Sequence, residues 1–131
     1  MHEFAWTALV TLLALIVYFV MAGAVGRARG KYKVAAPATT GDPNFERYFR
    51  VQMNTLEWLP IFLPSLWLFA AYWGDTIAAS LGAVWVVGRI LYFSNYVRDP
   101  SSRGAGFGIQ GLAALALLIG ALAGVVQTLI A

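Results

Sequence analysis

"RYFRVQMNTLEWLP", Arg47 to Pro60, places arginine, glutamine, asparagine and glutamate where a long apolar helix is starting. Arg47, Arg50, Asn54 and Glu57 follow one another at intervals of three, four and three residues, so on a helix all four project from roughly one face. Phe49, Met53, Leu56 and the run Leu59 to Leu63 are left for lipid or for neighbouring helices, and Gln52 lies off the stripe, at its shoulder. An ionisable group at membrane depth costs about 2.5–3.5 kcal/mol on insertion scales and usually marks a polar cavity or pathway. The stripe is therefore either a charge network within the bundle, with Arg50 and Glu57 sharing Asn54, or the wall of a site for a polar ligand.

The membrane setting comes from composition. The 131 residues are 60% hydrophobic and only 11% charged, and the mean hydropathy is +0.71, well outside the range of soluble domains. Runs of spanning length recur at Phe4 to Gly26, at Trp58 to Gly74 extended backward by Val51 to Leu56, at Thr76 to Val97 with Arg89 inside it, and at Gly104 to Ala131. None alternates as barrel strands do, so the fold class predicted is an all-α integral membrane protein, a bundle of four transmembrane helices in a single domain over residues 1–131. The first run is long enough to span and lacks a signal-peptide cleavage pattern, so it is expected to stay attached. There is no cysteine and one histidine, His2, near the terminus; no metal site and no thiol nucleophile are expected.

The connections carry the charge. Arg27, Arg29, Lys31 and Lys33 are assigned to the first loop, Arg98 and Arg103 to the third, and the positive-inside rule places both loops in the cytoplasm. The net charge of +3 reflects residues flanking spans, which topology and anionic headgroups explain better than nucleic acid does. Asp42 followed by Pro43 reads as an N-cap and first helical residue, so the second helix is expected to begin outside the hydrocarbon. Pro60 and Pro64 are expected to bend it.

A second polar set lies in "GRILYFSNYVRDPSSRG". Arg89, Tyr92 and Tyr96 share a helical face by their spacing of three and four, although Tyr and Arg are also common at membrane interfaces. Arg98 reads as such an interfacial residue. Pro100 ends the third helix, Ser101 or Ser102 is a candidate cap for the fourth, and Arg103 falls near that helix start. The glycines at 104, 106, 108, 111, 120 and 124 predict close approach of helices, and Trp67, Trp73 and Trp85 read as belt or packing residues. Hydrolase, nucleotide-binding and zinc-protease motifs are absent.

"FERYFRVQMNTLEWLPIFLPSLW" resembles the signature of the MAPEG family, the membrane-associated proteins in eicosanoid and glutathione metabolism, whose pattern runs roughly F-E-R-x-x-R-x-Q-x-N-x-x-E-x-x-P. "RILYFSNYVRDPSSR" resembles its second signature, with Arg, Tyr and Tyr followed seven residues on by Arg. The resemblance covers nearly the whole chain. It implies a homotrimer with glutathione as co-substrate at each subunit interface near the cytoplasmic side; from the short chain, a bacterial inner membrane is the expected location. By position, the family's glutathione contacts fall on Arg29, Arg50, Gln52, Asn54, Glu57, Tyr92 and Tyr96, and its thiol-activating arginine falls on Arg103. Trp58 stands where the leukotriene-synthase branch carries Tyr; an indole can only donate.

The ligand's chemistry agrees with that set. Glutathione has two carboxylates and an ammonium, so arginines would take the carboxylates and Glu57 the ammonium. A thiol of pKa about 8.5 is mostly protonated at neutral pH, and a guanidinium near the sulfur favours the nucleophilic thiolate. The implied activity is conjugation of glutathione to lipophilic electrophiles delivered by the bilayer; the same thiolate could reduce a lipid hydroperoxide. The alternatives are a nonenzymatic lipid-presenting protein and a glutathione-dependent isomerase of prostaglandin-endoperoxide type.

Overall fold

The computed structural model describes residues 2–131. Four helices follow in order: α1 (Ala5–Tyr32), α2 (Pro43–Trp73), α3 (Asp75–Arg98) and α4 (Gly104–Ile130), with 3-10 turns at His2–Phe4 and Pro100–Ser102. The start of α2 is the expected one, since the Asp42 side chain accepts from the backbone N–H groups of Asn44 and Phe45 and Pro43 occupies the first turn. Pro60 and Pro64 both lie inside this unbroken 31-residue helix.

Two expectations at helix ends are corrected. The basic residues after Gly26 do not form a loop, because α1 continues to Tyr32 and stops at Lys33, whose φ of 58° is left-handed. Arg27, Arg29 and Lys31 are good helix formers, and at a helix C-terminus their charge complements the macrodipole. Neither Ser101 nor Ser102 caps α4: both sit in the 3-10 turn, Arg103 holds the N-cap position, and no side chain caps it.

The helices run alternately up and down. At one end, Asp75 at the start of α3 reaches the start of α1, its Oδ1 accepting from the Thr7 amide and hydroxyl at 2.7 Å each and its Oδ2 from the Trp6 amide at 3.1 Å. This supplies the cap that Phe4 cannot. At the other end, Arg47 Nη1 donates to the carbonyl of Arg98 at 3.0 Å, joining the start of α2 to the end of α3. Between the ends the core is apolar, centred on Phe62 stacked on Trp85 with centroids 4.0 Å apart and planes 3° off parallel, with Leu66, Leu117 and Ala114 buried around them.

Among the described residues, three segments are long and apolar enough to cross a membrane, namely His2–Tyr32, Asp75–Arg98 and Gly104–Ile130. α2 falls outside that set; it carries Arg47, Arg50, Asn54 and Glu57. Close approach is confined to particular glycines. A Cβ at Gly106 would meet the backbone of Tyr92 and the carbonyl of Gly88, and one at Gly120 or Gly124 would meet the rings of Phe69 or Tyr72, whereas Gly104, Gly108 and Gly111 have nothing within 4 Å. α3 contributes a further approach at Gly88, against the backbone of Gln110.

Candidate functional site

At the end of the bundle that carries the α3–α4 turn, α2, α3 and α4 enclose a cavity of about 400 Å³ lined by Arg50, Asn54, Tyr92, Tyr96, Arg103 and Phe107. Arg50 and Asn54 are one turn apart on α2. Tyr92 and Tyr96 are one turn apart on α3, with ring centroids 5.5 Å apart. Arg103 is placed by the preceding turn, where Asp99 Oδ1 accepts from the Ser101 hydroxyl at 2.8 Å and its amide at 3.1 Å. Those two bonds, the hydroxyl first, hold the Asp99 carboxyl below the usual carboxylate range, and Arg47 adds to the effect.

Gly106 sets the depth of the wall that α4 supplies. Because it has no Cβ, the first turn of α4 lies against the backbone of Tyr92, which leaves the Phe107 ring 5.7 Å from the Tyr92 ring. The guanidinium of Arg103 is 6.0 Å from the Tyr96 ring centroid, and its Nη1 makes one long bond, 3.4 Å, to the carbonyl of Pro100. It is exposed and otherwise uncommitted.

Behind these groups lies a residue that the sequence did not assign to the site. Arg89 is completely buried, and its Nη1 donates to Asn54 Oδ1 at 2.8 Å and to Thr55 Oγ1 at 3.1 Å. Among the described residues no carboxylate meets it; the ring faces of Tyr92, Trp85, Trp58 and Phe107 surround it at 4.8, 5.6, 5.9 and 6.0 Å. The bond to Oδ1 fixes which way the Asn54 amide turns, so that its NH2 is the end left for the cavity. Its spacing from Tyr92 showed that Arg89 shares a face with the tyrosines, but not that this face turns inward. Phe107 had no signal beyond being aromatic near a helix start.

Four of the residues assigned from sequence are not brought to this cavity within one subunit. Arg29 is committed to its own neighbourhood, its Nη1 donating to the carbonyls of Ala38 at 2.7 Å and Val34 at 3.4 Å while the guanidinium lies 4.8 Å from the Phe45 ring centroid. Gln52 lies two residues from both Arg50 and Asn54, which at about 100° per residue puts it on the far side of α2 rather than at the shoulder of the stripe. Glu57 is exposed on the surface of α2. Arg50 and Glu57 do not share Asn54, whose oxygen is taken by Arg89.

Trp58 has a different setting from its neighbours in the motif. Its ring packs edge-on to Phe107 at 5.7 Å and lines an apolar groove with Ile61, Gly111, Ala114, Leu115 and Leu118. Ile61 and Leu118 also line a second apolar hollow deeper between α2 and α4, reaching Pro64 and Leu68. The Trp58–Phe107 pair thus stands where a polar cavity meets a groove that opens on the lipid-facing side chains.

Comparison with known sequences identifies the family. The MAPEG family model matches residues 7–123. The chain belongs to the MAPEG family. An uncharacterized protein of Synechocystis sp. is 54% identical over 120 residues, covering 92% of this chain and 88% of that one. Human microsomal glutathione S-transferase 2 is 48% identical over 99 residues, covering 75% and 67%, and guinea-pig (Cavia porcellus) leukotriene C4 synthase is 40% identical over 101 residues, covering 77% and 67%. As a MAPEG protein the chain joins a membrane family that includes enzymes of glutathione conjugation, and its cavity residues fall within the matched segment.

Proposed function

We propose that this MAPEG protein is a membrane glutathione transferase, a homotrimer of four-span subunits in which each glutathione slot lies between neighbouring subunits at the cytoplasmic end. The observation that carries this reading is the convergence of Arg50, Asn54, Tyr92, Tyr96 and Arg103, from three helices, on one cavity beside an apolar groove. α2 supplies the fourth span: 31 residues at about 1.5 Å each reach roughly 46 Å, enough to cross even with the polar stripe held at one end.

In this site Arg50 takes a carboxylate of the peptide, the Asn54 NH2 donates to its backbone, and Arg103 faces the sulfur. The thiol proton leaves to water and the guanidinium stabilises the thiolate that remains, each unit of pKa depression corresponding to about 1.4 kcal/mol. The sulfur then forms a bond to the electrophilic carbon of a lipophilic substrate lying in the groove, and the electron pair of the attacked bond goes to its leaving group or to an adjacent atom that water protonates. Arg103 supports this role because it is exposed and holds only one long internal bond, so turning to an anion breaks little. Glutathione transferase and leukotriene C4 synthase relatives support the co-substrate and the lipophilic partner.

The test is an ultraviolet difference titration of the detergent-solubilised protein with glutathione, following thiolate absorbance against pH. A saturable signal with an apparent pKa at least one unit below about 8.5 is expected. No signal at millimolar glutathione would replace this reading with a lipid-presenting one.

A further inference from the structure

On the face opposite α4, the ends of α1 and α3 and the first turns of α2 form a second cavity, of about 450 Å³. It shares no residue with the Arg103 cavity. Its mouth carries Arg27, Lys31 and Arg98, three cations from two helices. Its floor is the edge-on pair Tyr48 and Phe93, with centroids 6.1 Å apart and planes at 71°. Toward the middle of the bundle the wall continues as Ala24 and Val20. Val20 precedes Arg27 by seven residues on one helix, which sets the apolar end roughly 10 Å below the cationic end.

The cations are available. Arg27 has no partner among the described residues, and Lys31 Nζ lies 5.3 Å from the Tyr32 ring centroid. Arg98 uses Nε on the carbonyl of Ser94 and Nη2 on Asn95 Oδ1, leaving Nη1 free. Complementing a helix dipole explains a basic residue on the last turn of either helix. It does not explain why residues from two helices line one hollow with an aromatic floor and an apolar tail.

We propose that this cavity is a binding site for an anionic phospholipid, with the phosphate between Arg27, Lys31 and Arg98 and an acyl chain along Val20, Ala24 and Phe93. The order of the lining matches the order of such a lipid at an interface: negative headgroup outermost, ester region against the Tyr48 ring, hydrocarbon below. A soluble phosphate would use only the mouth, and a zwitterionic lipid carries an ammonium that three cations repel. The proposal does not rest on the glutathione reading, since it uses none of those residues.

Native mass spectrometry of the delipidated, detergent-solubilised protein tests it, with phosphatidylglycerol and phosphatidylcholine of identical chains as probes. Phosphatidylglycerol is expected to bind about tenfold more tightly, and Arg27→Gln and Lys31→Gln each to weaken it about fivefold. Lys33→Gln removes the same charge from outside the cavity and should leave the affinity unchanged. Val20→Trp, at an exposed position, fills the apolar end without touching charge and should weaken both lipids. Equal affinity for the two lipids overturns the proposal. So does a loss with Lys33→Gln as large as with Lys31→Gln, which shows diffuse attraction only, and so does full displacement of the lipid by an equal concentration of glycerol phosphate, which shows a soluble-anion site.

Discussion

Two arginines serve the Arg103 cavity in opposite states. Arg89 is fully buried, its charge solvated by Asn54, Thr55 and four ring faces, with Nε and Nη2 left without partners. A buried cation without a counter-ion is stable only where such groups surround it, and it lends a fixed positive potential to whatever fills the neighbouring cavity. Arg103 is exposed at the rim and free to turn. Binding and activation should therefore separate: in Arg103→Ala, Arg50, Asn54 and Arg89 remain, so glutathione affinity should fall less than about threefold. Turnover at neutral pH should fall on the order of a hundredfold, the usual loss when one charge-stabilising donor is removed, and the thiolate signal should move back toward the free thiol. Arg103→Lys keeps a cation and should retain part of the rate. Unchanged turnover in Arg103→Ala would move thiolate stabilisation to Arg89 or Arg50.

At the scale of helices, the position of Arg103 depends on how closely α4 lies on α3. Gly106 is the contact point, and a methyl group there meets backbone atoms, which cannot step aside as a side chain can. Gly106→Ala should lower stability in detergent by about 1–3 kcal/mol, as overpacking does, and reduce turnover by displacing Phe107 and Arg103 together. Gly108→Ala, two residues on with open space around it, should be neutral or gain up to about 1 kcal/mol of helix propensity. A thermal melt of both variants with a conjugation assay checks the pair; equal effects would mean that the contact does not position the site. The two substitutions look alike in the sequence, where 104, 106, 108 and 111 read as one small-residue run, because which member faces α3 depends on the rotation of α4. Local chemistry was legible instead: Asp42 and Pro43 announce the start of α2 without reference to the rest of the fold. The equivalent signal at α4 misled: Ser101 or Ser102 was expected to cap the helix, but both lie in the Pro100–Ser102 turn that Asp99 caps, and no side chain caps α4. With its carboxyl held low by the Ser101 hydroxyl and amide, the carboxylate's contribution to that turn is fully present above the ordinary carboxylate pKa and is lost as the pH falls through the lowered one.

For the whole molecule, the sequence stripe divides between what one subunit assembles and what it cannot. Arg50 and Asn54 were legible as a pair because a single helix fixes their spacing, and their meeting with Tyr92, Tyr96 and Arg103 needed the packing of three helices. Gln52 belongs to the same motif but turns to the far side of α2, so it can serve a glutathione slot only by facing the cavity of another copy. In the proposed trimer, a threefold ring built from one head-to-tail contact would give each slot one wall of Arg50, Asn54 and Arg103 and another wall of Gln52 from the next subunit. This arrangement predicts complementation between two damaged subunits. Arg103→Ala should be nearly inactive, and Gln52→Ala should lose about tenfold by removing a hydrogen bond to a charged ligand. Co-expressed in equal amounts and mixed at random, they should regenerate an undamaged slot at about one interface in four, wherever an Arg103-bearing cavity meets a Gln52-bearing neighbour. The mixed preparation should then turn over well above the mean of the two parents. If both residues serve a slot within one subunit, no undamaged slot can form, and the mixture would show only that mean.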